Sequence, residues 1–475
     1  MSEGRMDGRA WGVLLVLCGA IFLEGIDVAM LNVALPSIRE DLGLSTGMLS
    51  GVVSAYVLGY GGFMLLGGRA ADLLGRRRMF LLWLAVFCVF SGLGGLATEG
   101  WMLLVARFVT GVAAAFMAPA GLALVTGAFP EGPQRTKALG VYAGTAAGGF
   151  SLGLVAGGLL AALGWRWVFF APVILSAVLL AAAIPLVRET DGERADGRFD
   201  LPGAFTITGS MLLLVYGVVR LEHPSRGAAV TVGVFAAGLA LLAAFVAIER
   251  RSADPLVRLG ILRSAALVRT NTAALLFLGA FAGFQFLVTL YLQEVRGWSA
   301  LETGLAMLVI AIDTVLAPTL TPRLVGRYGN TRVLFGGLVL AAVAYALFLP
   351  VGIDWTYAVM LPTMIILGLA FSLSYGPLTM AAVEGVEEQE HGLASGLLYT
   401  AFQFGTALGL SAVTAVNVAA LGDGDTPGEA LSAIRAALVV PVAAAVLGAI
   451  VVAFGLRARA AAPPVPANEP ATTSA

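Results

Sequence analysis

Charge is scarce in this chain. Of its 475 residues, 12% are charged, against roughly 25% in a soluble domain, so a water-facing surface could not be covered. Cysteine is limited to Cys18 and Cys88, both inside apolar runs, which excludes a disulfide scaffold. The two histidines, His223 and His391, lie near the ends of apolar runs with no metal-ligand spacing around them, so no metal site is expected. Lysine occurs once, at Lys137, outside any Gly-rich phosphate loop, which argues against an ATP-driven pump. The 60 glycines follow no triplet repeat, so a collagen-like chain is excluded as well. A net charge of -1 offers nothing to nucleic acid. Neither an enzyme nor a cofactor-binding protein is suggested.

What is present is hydrocarbon: 59% hydrophobic residues and a mean hydropathy of +0.92. A helix needs roughly 20 apolar residues to cross a bilayer core about 30 Å thick. Apolar runs at 12–35, 47–67, 79–98, 101–124, 137–161 and 167–187 meet that need, two more follow at 203–220 and 228–248, and six again at 271–293, 302–324, 332–350, 356–380, 392–418 and 433–456. The sequence therefore reads as an all-α polytopic membrane protein with fourteen crossings. The first run lacks a small-residue cleavage site and is read as a retained helix. Pro463 to Ala475 reads as a disordered tail. Basic residues mark the cytoplasmic side. Only Arg39, Arg166, Arg220, Arg226, Arg296 and Arg435 fall in loops opposite the termini and Arg107 lies within a span, so both termini are expected in the cytoplasm and the chain in the cell membrane, against lipid.

An internal repeat divides the chain. The loop at Gly68-Arg69-Ala70-Ala71-Asp72-Leu73-Leu74-Gly75-Arg76-Arg77-Arg78 has a weaker copy at Pro322 to Arg332, and Arg69/Arg323, Gly75/Gly329, Arg78/Arg332, Gly43/Gly297 and Ser45/Ser299 share one offset. Two six-helix halves are thus expected, at 1–190 and 255–456, with a two-helix insert at 191–254 and a tail at 457–475. Duplicated helical bundles point to alternating access about a midplane site. Glycine rows at Gly140, Gly144, Gly148 and at Gly149, Gly153, Gly157 recur as Gly392, Gly396, Gly405 and Gly409, and are expected to form a helix-packing seam between the halves.

These residues resemble the major facilitator superfamily, and within it the fourteen-spanner drug:proton antiporters. Gly68-x-x-x-Asp72-x-x-Gly75-Arg76-Arg77 matches the loop motif of the superfamily, Asp27-x-x-x-x-Asn32-Val33-Ala34-Leu35-Pro36 the first-helix motif, Arg107-x-x-x-Gly111 the fourth-helix motif, and Trp165-Arg166-Trp167-Val168-Phe169 the opening of the sixth helix. The chain departs from the pattern where Leu154 stands in place of a proline and Thr110 in place of a glutamine. The resemblance implies efflux of small, lipophilic or amphipathic compounds by a monomer that exchanges them for protons, with Asp27 at the acidic position of the family. Uptake of a small metabolite is the alternative.

Ionisable groups inside spans are costly and are functional candidates for that reason. Glu24, Asp27, Arg107 and Asp313 are such groups. At 1.5 Å per residue, Asp27 and Arg107 fall at nearly the same depth and can pair, while Glu24 shares the helix face of Asp27. A carboxylate that gains and loses a cationic partner can bind and release a proton, so these four are the proton-coupling candidates. Gly68, Asp72, Gly75, Arg76 and Arg77 are read as a conformational latch. Asn32, Tyr56, Tyr60, Phe116, Met117, Phe284, Gln285, Tyr291, Phe371, Tyr375 and Gln403 are the candidate wall of the substrate cavity.

Overall fold

The computed structural model describes residues 7–129, 133–188, 200–220, 227–252, 259–384, 386, 391–421 and 426–460. Within them the chain is almost entirely helical, as a backbone in hydrocarbon must be to satisfy its own N–H and C=O groups. The first half holds α1 (Gly8–Leu42), α2 (Thr46–Leu74), α3 (Arg76–Gly95), α4 (Gly100–Ala128), α5 (Pro133–Leu163) and α6 (Trp167–Leu186). Next come α7 (Leu201–Arg220) and α8 (Ala228–Glu249), then α9 (Ala265–Leu290), α10 (Ala300–Met307), α11 (Asp313–Tyr328), α12 (Asn330–Phe348), α13 (Tyr357–Val383), α14 (His391–Leu421) and α15 (Pro427–Ala460). Ten helices among the described residues are long and apolar enough to span a membrane. One expected crossing is interrupted: α10 passes through a five-residue 3₁₀ segment, Leu308–Ile312, before α11 begins at Asp313. α9 likewise ends in a π turn at Tyr291–Val295. The linker at 189–199 and the tail from 461 lie outside the described residues; α15 itself continues to Ala460.

The two halves repeat each other in detail. Gly43 and Gly297 end the first helical segment of each half at φ +62° and +66°, and Gly75 and Gly329 turn the loop motif at +102° and +84°. A side chain is strained at such angles, which is why both copies of each pair are glycine. Ser45 accepts the Met48 N–H at 3.2 Å and Ser299 the Glu302 N–H at 3.2 Å, so the next helix of each half starts on the same kind of cap. Packing repeats too: α1 lies on α5 as α9 lies on α14, and α3 contacts α4 and α6 as α12 contacts α13 and α15.

The glycine rows lie elsewhere than the expected seam between halves. A Cβ on Gly153 would stand 2.7 Å from that of Ala29, and one on Gly157 2.7 Å from the Met30 Cα, so this row seats α5 on α1 within the first half. Gly405 and Gly409 likewise seat α14 on the backbone of α9 at Leu275 and Gly279. Small residues let helices approach closely where lipid supplies no hydrophobic drive. The row facing the other half is shifted by one residue: Gly158 lies against α10, where a Cβ would meet the Ala300 oxygen at 2.8 Å. Gly148 borders open space, and Gly396 accepts the Thr400 hydroxyl at 2.9 Å. The environment of Gly144 lies outside the described side chains.

The insert begins on a cap, Gly203 N–H to Asp200 Oδ1 at 2.9 Å. α7 packs on α8, on α2 and on α14, and α2 and α14 also contact each other. The insert therefore lies over the junction of the two halves.

Candidate functional site

The site is built on the α1 face carrying Glu24 and Asp27, three residues apart and both buried. Arg107 of α4 donates from Nη1 to Asp27 Oδ2 at 2.5 Å, with both side chains 3% exposed or less. Its guanidinium also sits over the Tyr56 ring of α2, 4.4 Å from the centroid, and its Nε has no hydrogen-bond partner among the described residues. α2 and α4 come this close because Gly111, one turn from Arg107, lets the Tyr56 backbone lie against it; a Cβ there would be 3.0 Å from the Tyr56 Cα. Removing one member of so buried a pair strands the other charge, at a cost of about 3–5 kcal/mol. Thr110, in the place of the usual glutamine, turns back to the Arg107 carbonyl at 3.0 Å and takes no part in the pair.

Glu24 has separate company. Tyr60 donates to Glu24 Oε2 at 3.3 Å, and the hydroxyls of Tyr56, Tyr142, Tyr375 and Tyr399 all lie in electrostatic range of the carboxylate. Tyr142 belongs to α5 while Tyr375 and Tyr399 belong to α13 and α14, so Glu24 is flanked by both halves. Tyr375 stacks between Phe371 (5.4 Å, 12°) and Phe402 (5.0 Å, 16°), and Phe371 meets Phe281 at 4.7 Å. One buried carboxylate thus lies near a ladder of stacked aromatic rings contributed by the second half.

Other expected wall residues lie apart from this group. Phe116 stacks on Trp83 of α3 at 4.3 Å and Met117 is fully buried, so both belong to the packed first-half core. Phe284 turns to Tyr345 and Phe348 of α12, and Tyr291 donates to the Gly352 carbonyl at 2.7 Å; both face away from the junction between halves. Gln285 is buried with its Nε2 unpartnered among the described residues. Gln403 lies across the junction from Gly61, whose Cβ would be 3.2 Å from that of Gln403. Asn32 is half-buried on α1, and Asp313 is buried at the head of α11.

At the end of the bundles remote from the termini, the halves are joined by contacts that no motif announced. Arg39 of α1 pairs with Glu294 at 2.7 Å, and Gln293 donates to the Val33 carbonyl at 3.0 Å. Gly304 of α10 packs on the Leu154 carbonyl of α5. A cavity of about 580 Å³ opens beside this ion pair, lined by Ser37, Glu40 and Trp298 among others. At the opposite end, Arg77 of the loop motif donates to the Val187 and Ile184 carbonyls at 2.6 and 2.8 Å, clamping the last turn of α6. Gly68 faces Pro119 of α4, and Arg76 is half-buried. The side chain of Asp72 lies outside the described ones.

The arrangement is that of a carrier, and the Major Facilitator Superfamily model matches residues 17–410. The chain belongs to this superfamily. Among its relatives, the puromycin resistance protein of Streptomyces alboniger is 37% identical over 87% of this chain and 83% of the relative. The lincomycin resistance protein of Streptomyces lincolnensis is 34% identical over 87% of this chain and 86% of the relative. Among solved structures, a bacterial homologue of the human lysosomal transporter Spinster, inward-facing and occupied, superposes with a TM-score of 0.69 at 17% identity, covering 95% of this chain and 98% of that one. As a member of this superfamily with many long apolar helices, the chain is a multi-pass membrane transporter.

Proposed function

We propose that this superfamily member is a monomeric secondary exporter of small lipophilic or amphipathic compounds, driven by exchange for protons through alternating access. The observation that carries the reading is the buried Asp27–Arg107 pair, adjacent to a second acid, Glu24, that lies between the halves. A carboxylate whose cationic partner comes and goes changes its proton affinity, which is what coupling to a proton gradient requires. The resistance functions named in the two relatives support export as the direction.

On this reading the fourteen crossings form two six-helix bundles, 1–190 and 255–456, about the insert at 191–254, with both termini in the cytoplasm. The contacts at the end remote from the termini then close the outer side, and the arrangement is inward-facing. Asp313 is a further proton site, and the loop motif from Gly68 to Arg77 is the inner latch. The test is drug susceptibility and efflux in an exporter-deficient bacterial host, with and without a protonophore. Export should collapse with the protonophore and in Asp27→Asn when the proteins are compared at matched membrane abundance; gradient-driven export that persists in Asp27→Asn overturns the assignment.

A further inference from the structure

We infer that Tyr56 is a positioning residue for the coupling acid: its ring hosts the Arg107 guanidinium whenever Asp27 is protonated, and so sets the pH at which Asp27 loads its proton. The inference rests on the proton-exchange reading above. When Asp27 is charged, Arg107 has two partners, a carboxylate oxygen at 2.5 Å and a ring centroid at 4.4 Å. Once Asp27 takes a proton, the first partner is neutral, and a cation 2% exposed loses its counter-charge but keeps the ring.

The quadrupole of the ring acts more strongly on an uncompensated cation than on one already neutralised by a carboxylate. Tyr56 therefore favours the protonated state over the paired one. Its placement is held independently of the pair, since the Gly111 approach fixes the Tyr56 backbone against α4 one turn from Arg107. No other described cation faces this group: α1 offers Glu24 and Asp27, α2 Tyr56 and Tyr60, α5 Tyr142, and α13 and α14 Tyr375 and Tyr399.

The experiment is an infrared titration of the protonated-carboxyl band in the full chain in lipid nanodiscs. It is done in a Glu24→Gln background, with the Asp27 band assigned by its loss in Asp27→Asn. Position 56 is varied through Tyr56→Phe, a mono-, di- and trifluorophenylalanine series, and Tyr56→Leu. The fluorinated rings keep shape and fold while draining the π face. The Phe variant should keep the wild-type midpoint, and the midpoint should fall stepwise with fluorination, reaching about one pH unit, a tenfold weaker proton affinity, in the trifluoro and Leu variants. A midpoint indifferent to fluorination overturns the role of Tyr56 while leaving Asp27 as the proton site. An Asp27 band that does not titrate at all overturns both.

Discussion

Arg39 and Glu294, 255 positions apart, join the two halves at the end remote from the termini across 2.7 Å. Both side chains are more than a third exposed, so the bond itself is worth no more than about 1 kcal/mol. That is nonetheless enough to tilt a balanced two-state carrier roughly fivefold. Arg39→Glu should therefore populate the arrangement open at that end, and the swap Arg39→Glu with Glu294→Arg should restore the original balance. Pulsed electron–electron distances between spin labels on the α3–α4 and α12–α13 turns would report it; identical distance distributions in all three proteins would refute a role for this ion pair.

Glu24 and Asp27 are neighbours on one helix face with different partners, and their variants should differ in kind. Glu24→Gln removes the charge beside the tyrosines but leaves the Asp27–Arg107 pair intact. It is expected to weaken transport of cationic compounds at least tenfold while sparing exchange of neutral ones, read as KM values for a matched charged and uncharged pair in proteoliposomes. Equal losses for both would merge the two acids into one function.

The glycines separate sharply by what they face. Gly157→Val drives a branched side chain into the α1 backbone at Met30 and should cost about 1–3 kcal/mol. Gly148→Ala meets nothing within 4 Å and should be neutral or stabilise by up to about 1 kcal/mol through helix propensity. Thermal unfolding of the two variants in the same detergent orders them; a reversed order would mean that α1 and α5 are not in contact.

Asp41, beyond the apolar part of α1, accepts from the Trp165 indole at 2.9 Å and from Arg166 at 2.8 Å. Those two hydrogen bonds hold its carboxyl below the ordinary value of 3.8. A carboxyl lowered on folding stabilises the folded chain above the unfolded-state value, and the benefit disappears as pH falls through the lower folded value. Wild type should thus lose melting temperature below about pH 4 more steeply than Asp41→Asn. Parallel acid limbs for the two proteins would show the contact to be thermodynamically idle.

Much of this was legible because lipid leaves few choices. A carboxylate and a guanidinium at matched depth in apolar helices have no solvent to turn to, so Asp27 and Arg107 could be paired from their spacing alone. Positive-φ glycines stand at offsets that the duplication repeats, which made Gly43/Gly297 and Gly75/Gly329 visible. Depth, however, does not give rotation. Phe284 and Tyr291 sit at the right level, but α9 turns them to α12, because a long aromatic is as well buried against a neighbour as against a cavity. Tyr142 and Tyr399 carried no signal for the same reason, being ordinary tyrosines in apolar helices until the fold sets them around Glu24. The break at Leu308–Ile312 has neither proline nor glycine within it to mark it. Arg39 and Glu294 lie in the unremarkable last turns of two helical segments, which only the closing of two bundles brings within reach.

The position of α7 bears on how a solute could arrive. Because this helix lies across both α2 and α14, with Leu212 against Gly62, the junction on that flank is shuttered by protein. A compound dissolved in the bilayer would meet α7 and α8 there before either bundle, whereas among the described residues no inserted helix lies over the opposite junction, where α5 faces α10 and α11. The two sides of the carrier are thus unequal toward lipid even though the halves themselves repeat.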